Sequence, residues 1–518
     1  MKKKFRFFMA AFAAVGLMAS CSSEVVNPGQ GDNNLPVIEG ASTFATFSFS
    51  VKQAPSSKAA SVTDASIPYT TESAVKDIRL IIFKTGASTT CEVNEMYKSG
   101  ETGFDDKLSK TVVLTSGTKK IFVVANAEGL GTGHELSESK VVPGTTTLAE
   151  FYDIMKDLGT GTTPVTALDL AKITSDANGY IMSNAINADC QKVLVGGITE
   201  SDSRGATAGD ETKNNFSFNI QRVVSKGKVV YTDLNTADGM GKLMDGNNIK
   251  YGIRNVNRSV YFFQKFSSDA VVAGAFPRSP YYNTMDSWTM TELEDLSKFA
   301  PYYYSDYALD MVMSPVGNLD AANSVYFTEN TNSVPRRGNN TYAAVEAVFM
   351  PKKDKYITAI VYQDFNDRFV PTLGTVDINS GVDLYLLKDV GSSQGLTANC
   401  LFTNMTAAYT AAWAVENPGQ PTINMPISYI PPADLLVKYT GGKCYYRLDF
   451  GEGTAPDITW GVKRNNMYRA TISKFASIGE PALTDLDEDP EIPLGEKTHV
   501  TASITVLDWE NADTSQEI

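Results

Sequence analysis

His499-Val500-Thr501-Ala502-Ser503-Ile504-Thr505-Val506-Leu507-Asp508-Trp509 is the last alternating stretch of the chain. Val500, Ala502, Ile504 and Val506 fall on one face of an extended segment, and Thr501, Ser503 and Thr505 on the other. That is the period-two pattern of a half-buried β-strand. The preceding run, Thr484-Asp485-Leu486-Asp487-Glu488-Asp489-Pro490-Glu491-Ile492-Pro493, is charged and broken by prolines, and reads as an acidic tether. A strand on such a leash folds back on its own domain or pairs elsewhere.

The other end of the chain carries a strand of similar length and alternation. In Thr43 to Val51, residues Ala45, Phe47, Phe49 and Val51 share one face. The segment that follows, Lys52 to Thr71, is rich in Ser, Ala, Thr and Pro and reads as a loop soft enough to be cut. Compact β-branched and aromatic runs then recur, bounded by turn residues: Ile78–Phe83, Lys110–Leu114, Lys120–Ala127, Phe216–Ile220 and Lys228–Tyr231. The second half repeats the habit at Ser259–Phe263, Tyr342–Phe349, Tyr356–Tyr362, Val382–Leu387, Tyr445–Phe450 and Met467–Lys474. Many short strands at irregular spacing indicate a mainly β chain of antiparallel sandwiches with a few short helices. One helix is expected over Thr147–Leu158, where Leu148, Phe151, Met155 and Leu158 share a face. The tyrosines Tyr281, Tyr282, Tyr302, Tyr303, Tyr304 and Tyr307 fall in a long connection; aromatic packing is the better account, and a glycan or adhesion surface the alternative.

With 518 residues, two domains are expected, divided near residue 225: an N-terminal one over 41–225 and a C-terminal one over 226–483, followed by tether and strand at 484–518. The net charge of −14 argues against a nucleic-acid surface, which needs clustered Lys and Arg. Residues 1–20 read as a leader. Lys2, Lys3, Lys4 and Arg6 precede an apolar run from Phe7 to Leu17, and Leu17-Met18-Ala19-Ser20-Cys21 ends in small residues before a cysteine. This is the pattern of a lipoprotein signal, with Cys21 as the lipidated residue. Residues 21–40 form a polar spacer.

Cys91, Cys190, Cys400 and Cys444 remain, and export would allow disulfides among them; buried thiols are at least as good a reading. The only histidines, His134 and His499, stand far apart, so imidazole catalysis and a His-based metal site have little support. Common nucleophile, phosphate-loop and zinc-protease motifs do not occur, and no cofactor is implied. The acidic run lacks the glycine turn of a calcium loop. An enzyme is therefore the weaker reading.

Taken together, the lipoprotein signal and spacer, the passage from Lys438-Tyr439 through Arg447 to Trp460-Gly461-Val462-Lys463-Arg464-Asn465-Asn466-Met467-Tyr468-Arg469-Ala470-Thr471-Ile472, and the closing Val500 to Trp509 resemble the Bacteroidales fimbrillins, subunits of type V pili. Arg337-Gly338-Asn339-Asn340-Thr341-Tyr342 and Met350-Pro351-Lys352-Lys353 look most like the stalk subunits of short, minor fimbriae. The resemblance implies two transthyretin-like β-sandwich domains and an outer-membrane lipoprotein precursor. It further implies cutting of the loop after the first strand by a trypsin-like protease. Neighbouring copies, with anchor and tip subunits, would then join into a surface fimbrium by donor-strand exchange. Projected onto this chain, the strand carrying Phe44, Phe47, Phe49 and Val51 is removed, and the donor carries Val500, Ala502, Ile504 and Val506, or Leu507 and Trp509 if the opposite face enters. The register is left open. Such cuts usually follow arginine, yet none lies between Cys21 and Arg79; because Lys52 directly abuts the strand, Lys58, before Ala59, is the only basic residue well within the soft loop. Cutting there suits a stalk subunit, and an uncut lipidated chain suits an anchor.

Overall fold

The computed structural model describes residues 40–51, 72–98, 109–158, 169–175, 177–266, 277–305, 309–316, 324–363, 368–388, 396, 399–452, 459–492, 494 and 500–508. The chain is mainly β with a few short helices, as its pattern indicates. In the first half, β1 (Ser42–Val51), β2 (Asp77–Lys84), β3 (Cys91–Lys98), β4 (Ser109–Thr115), β5 (Gly117–Ala125), β6 (Met182–Ser183), β7 (Gln191–Leu194) and β8 (Asn215–Arg222) form one sheet. Its order is β3-β2-β5-β6-β8-β1-β4, with β7 also on β5. The sheet folds over a core in which Phe47, Phe49, Phe216, Phe218 and Ile220 meet Ile78, Leu80, Ile82, Ile121 and Val123.

β2 and β5 read as unbroken apolar runs because both of their faces are covered. Their other faces, Ile81, Phe83, Phe122 and Val124, join a second core that runs on into the second half. There the Phe122 ring lies 5.0 Å from that of Phe263 and 4.7 Å from that of Phe151. The expected helix is shorter than its pattern suggested. Thr147 caps Leu148–Tyr152 through a capping box with Glu150. Helix then gives way to strand, because Met155–Asp157 pairs with Ser259–Tyr261. Met155 is consequently partly exposed, while Leu148, Phe151 and Leu158 stay buried.

In the second half, β9 (Val224–Tyr231), β10 (Ser314–Pro315), β11 (Val325–Thr328), β12 (Asn466–Phe475) and β13 (Val500–Asp508) form a sheet in the order β10-β9-β12-β13, with β11 also on β9. A second five-stranded sheet centres on Tyr342–Pro351, and a third, built from residues 357–439, is backed by the helix Met405–Glu416.

The two halves share a construction. In each, the first strand pairs in parallel with a late one: β1 with β8, the last strand of the first half, and β9 with β12, the last before β13. β8 and β12 each open on an Asn-Asn pair whose first member is left-handed, Asn214 at φ 53° and Asn465 at φ 59°. Asparagine tolerates that conformation because its short polar side chain bonds the local backbone.

A strand slot and a peripheral strand at the two ends of the chain

β1 is an interior strand. It pairs in parallel with β8 from Thr46↔Asn215 to Val51↔Ile220, and antiparallel with β4 from Ser42↔Thr115 to Ser48↔Ser109. Ala45 and Phe47 are fully buried and Phe49 nearly so, and the Phe47 ring stacks on Phe216 at 5.9 Å. Val51 is half-buried, and Phe44 points to the opposite face, also half-buried.

The other contacts of β1 are polar. Thr43 Oγ1 donates to the Val195 carbonyl (2.7 Å) and accepts from Ile198 N (3.1 Å) and Asn214 Nδ2 (3.0 Å). Asn214 Nδ2 also donates to the carbonyls of Phe44 (3.1 Å) and Val195 (2.8 Å). Thr46 Oγ1 accepts from Ser203 Oγ at 2.9 Å and lies 2.9 Å from Thr111 Oγ1, beneath the short helix Glu200–Gly205. Ser48 and Ser217 hydroxyls lie 2.9 Å apart, and Ser50 Oγ donates to Asn219 Oδ1 at 2.7 Å. β1 therefore fills a slot that specifies aromatic rings on one side and hydroxyls at fixed positions.

Glu72 and Ser73 are pinned. Glu72 is fully buried against Lys226, Nζ to carboxylate 3.0 Å, and accepts from the Tyr326 hydroxyl. Arg222 Nε donates to the Glu72 carbonyl at 3.0 Å, and its guanidinium also reaches Ser73 Oγ (2.9 Å) and Asn465 Oδ1 (3.2 Å). Burial pulls Lys226 down to about 8, only partly offset by Glu72.

β13 is less buried than β1 where its side chains are described, and Ala502 and Ile504 pack against the edge of the main core. The strand runs antiparallel to β12 at the edge of its sheet, with Ile504 across from Ala470 and Ala502 across from Ile472. Ala502 and Ile504 are only half-buried and Ser503 is exposed. Within one chain the last strand thus folds home, at the edge of its sheet.

The acidic run is not a tether over its whole length. Leu483–Asp487 forms a 3₁₀ turn, with Leu486 and Asp487 buried. Asp487 pairs with Arg254 at 3.0 Å and accepts from the Tyr342 hydroxyl at 2.5 Å. Arg447 donates to the Leu486 carbonyl (3.0 Å), Gly338 N to that of Pro490 (2.9 Å) and Arg337 N to that of Ile492 (3.0 Å). Desolvation opposes the charge on Arg447, yet Asp449 and Tyr342 hold its guanidinium above the ordinary arginine value. These donors come from segments 39 to 233 residues away, so charge pattern alone did not reveal the cradle.

Other sequence expectations resolve individually. Cys91, Cys190, Cys400 and Cys444 are buried thiols rather than disulfides. They serve as small core groups: Cys91 packs under β2 and β5, and Cys400 beside the Ala-rich helix. Burial pushes the Cys91 thiol up to about 12. Tyr281, Tyr302 and Tyr303 pack with Met285, Trp288 and Phe299 as a core of their own. Tyr304 is buried in the main core, which disfavours a glycan surface built on these rings. His134 is buried, accepts from Leu136 N at 3.2 Å, and is held down to about 4 by burial. Among the described residues no group of three metal-ligating side chains converges, and no helix is long and apolar enough to cross a membrane. Cys21, Lys58, Ala59, Tyr307, His499 and Trp509 lie outside the described residues.

Comparisons with known proteins bear on both ends of this arrangement. Residues 45–222, most of the sheet that houses β1, match the family model "Major fimbrial subunit protein (FimA)". Residues 437–515, which include β12 and β13, match "Major fimbrial subunit protein type IV, Fimbrillin, C-terminal". Among solved structures, a fimbrilin (FimA) from Porphyromonas gingivalis W83 is 14% identical, covering 91% of this chain and 98% of its own at a TM-score of 0.39. The tip fimbrial protein Mfa3 from Porphyromonas gingivalis is 13% identical, covering 90% and 98% at a TM-score of 0.32. Comparison with curated protein sequences gives no match. The slot and the peripheral strand fall one within each family match, and the chain belongs to the fimbrillin family of cell-surface fimbrial subunits.

Proposed function

We propose that this fimbrial subunit polymerises by giving up β1 and accepting the last strand of a neighbouring copy. One observation carries the reading: an interior, ring-and-hydroxyl strand joins its domain only through residues 52–71, and the chain beyond is fixed independently at Glu72. Cutting within that connection frees β1 covalently while leaving the remaining strands anchored. An emptied slot exposes Phe216, Phe218 and two rows of unpaired backbone groups, a state relieved by β-strand addition. β13 suits the donor role because it alternates over seven residues, Val500 to Val506, and pairs with its own sheet along one edge. Slot and donor sit at opposite ends of one chain, so the contact is head-to-tail and extends into a filament.

In this reading the precursor travels to the outer membrane lipidated on Cys21, as a first domain over 41–225 and a second over 226–483. A trypsin-like protease cuts after Lys58, and the mature chain begins at Ala59 in a fimbrium shared with anchor and tip subunits. The work is structural and adhesive, needing neither catalysis nor a cofactor. Mass spectrometry of surface filaments tests it: a mature terminus at Ala59, with no peptide from residues 21–51, is the expected result. An anchor role is the second reading, favoured by the lack of arginine between Cys21 and Arg79; recovery of the lipidated Cys21 peptide in filament bases would establish it instead.

A further inference from the structure

The slot around β1 is a register code, and we propose that it seats residues 498–506 of a second copy of this chain on positions 43–51, residue for residue and in the direction of β1. The inference rests on the exchange reading above and adds the alignment that reading leaves open.

β1 presents hydroxyls at 43, 46, 48 and 50, each engaged by the slot. The final stretch carries the same directional spacing, with Thr498, Thr501, Ser503 and Thr505, and Val506 falls where Val51 stands. Three of the four hydroxyl residues are the same type as their counterparts: Thr498 for Thr43, Thr501 for Thr46, and Ser503 for Ser48.

A shift by two residues breaks the code. Moving the donor so that Ala502 replaces Ala45 sets Val500 on the Thr43 site, where the Val195 carbonyl, Ile198 N and Asn214 Nδ2 all converge on a hydroxyl. It also sets Leu507 opposite Asn219 and Asp508 at the half-buried Val51 position. The opposite shift brings Glu496 to the Thr43 site and His499 under Ser203. The favoured register has two costs, Ala502 in place of the Phe47 ring and Val500, two carbons larger than alanine, in the fully buried Ala45 site. Neighbouring rings of Phe216 and Phe218 can turn into the void left by Phe47, whereas buried amide and carbonyl groups left without partners have no comparable relaxation.

Two measurements on the full-length chain, expressed in cells that assemble its filaments, test the register. In the first, Ser217→Cys is combined in turn with Thr501→Cys, Ser503→Cys and Thr505→Cys, and filaments are oxidised and resolved without reductant. Ser217 faces Ser48 in the ladder, so Ser503→Cys is expected to give the subunit ladder at several-fold higher yield than its neighbours. Maximal cross-linking at Thr501→Cys or Thr505→Cys, or filaments without any cross-link, overturns the register while leaving exchange or assembly itself standing. In the second, Ala502→Phe restores the missing ring and is expected to make filaments more resistant to heat in detergent. In the shifted register the same change drives a ring into the closed Ala45 site, so loss of assembly refutes the proposal. If the wild-type chain forms no filaments, the exchange reading fails and the register fails with it.

Discussion

Phe47→Ala separates the precursor from the filament energetically. Phe47 is fully buried, stacked on Phe216 at 5.9 Å and 6.3 Å from Phe218, inside a strand hydrogen-bonded on both edges. Removing such a ring from a closed core costs about 3–5 kcal/mol, the lost transfer free energy plus the cavity left behind. Against domain stabilities of about 5–15 kcal/mol this is a large fraction. In the uncut precursor the full loss should appear as a lower urea midpoint by circular dichroism, with the slope unchanged. After cutting, the same loss weakens the grip on the departing strand, so exchange with a neighbour's strand should accelerate by about a hundredfold or more, since about 1.4 kcal/mol is tenfold. In the proposed exchange the mature filament lacks Phe47, so its resistance to heat in detergent should equal that of wild type. Equal destabilisation of precursor and filament would show that β1 stays in place, and a precursor loss under about 1 kcal/mol would show that Phe47 is not a core residue of the slot.

Further tests address the supports of the slot. Glu72→Ala leaves Lys226 buried without its carboxylate and should cost about 3–5 kcal/mol in urea unfolding; a loss below about 1 kcal/mol would mean that the chain is not pinned there. Asp487→Ala removes the partner of Arg254 and Tyr342 and should release residues 483–492, detected as faster amide exchange in that segment with the β1 sheet unchanged. Lys58→Gln should leave the precursor fold intact and abolish the Ala59 terminus in mass spectra; normal processing would move the cut elsewhere. His134 has a folded value of about 4 against an ordinary 6.5, so the folded state binds fewer protons than the unfolded state between those values and loses stability as pH falls through that window. His134→Asn should remove that loss, so that wild type falls relative to the variant by up to about 3 kcal/mol from pH 6.5 to 4. Asp77, raised to about 6 by burial, acts oppositely: its stability contribution shrinks as pH rises from 3.8 to 6, so the difference between the two proteins is the quantity to follow.

Local pattern and tertiary context divided the work along physical lines. Period-two alternation in Thr43–Val51 and Val500–Asp508, and the apolar runs of β2 and β5, were legible because a strand's own side chains carry that signal. The end of the helix at Tyr152 was not legible, because the competing strand partner lies about a hundred residues later. The longest helix among the described residues, Met405–Glu416, buries only alanines against its sheet, a sequence with little amphipathic contrast to read.

The sequence by itself determined two strands of like alternation: it placed hydroxyl residues between apolar ones, rings in Thr43–Val51 and aliphatic side chains in Val500–Val506, and a Ser-, Ala- and Thr-rich segment after the first of them. Tertiary structure decided that β1 is interior while β13 is peripheral, that Glu72 is pinned, and that four arginines hold most of the acidic run in place. Those facts depend on ladders, ion pairs and desolvation between residues tens to hundreds of positions apart, which only the folded chain brings within reach of one another.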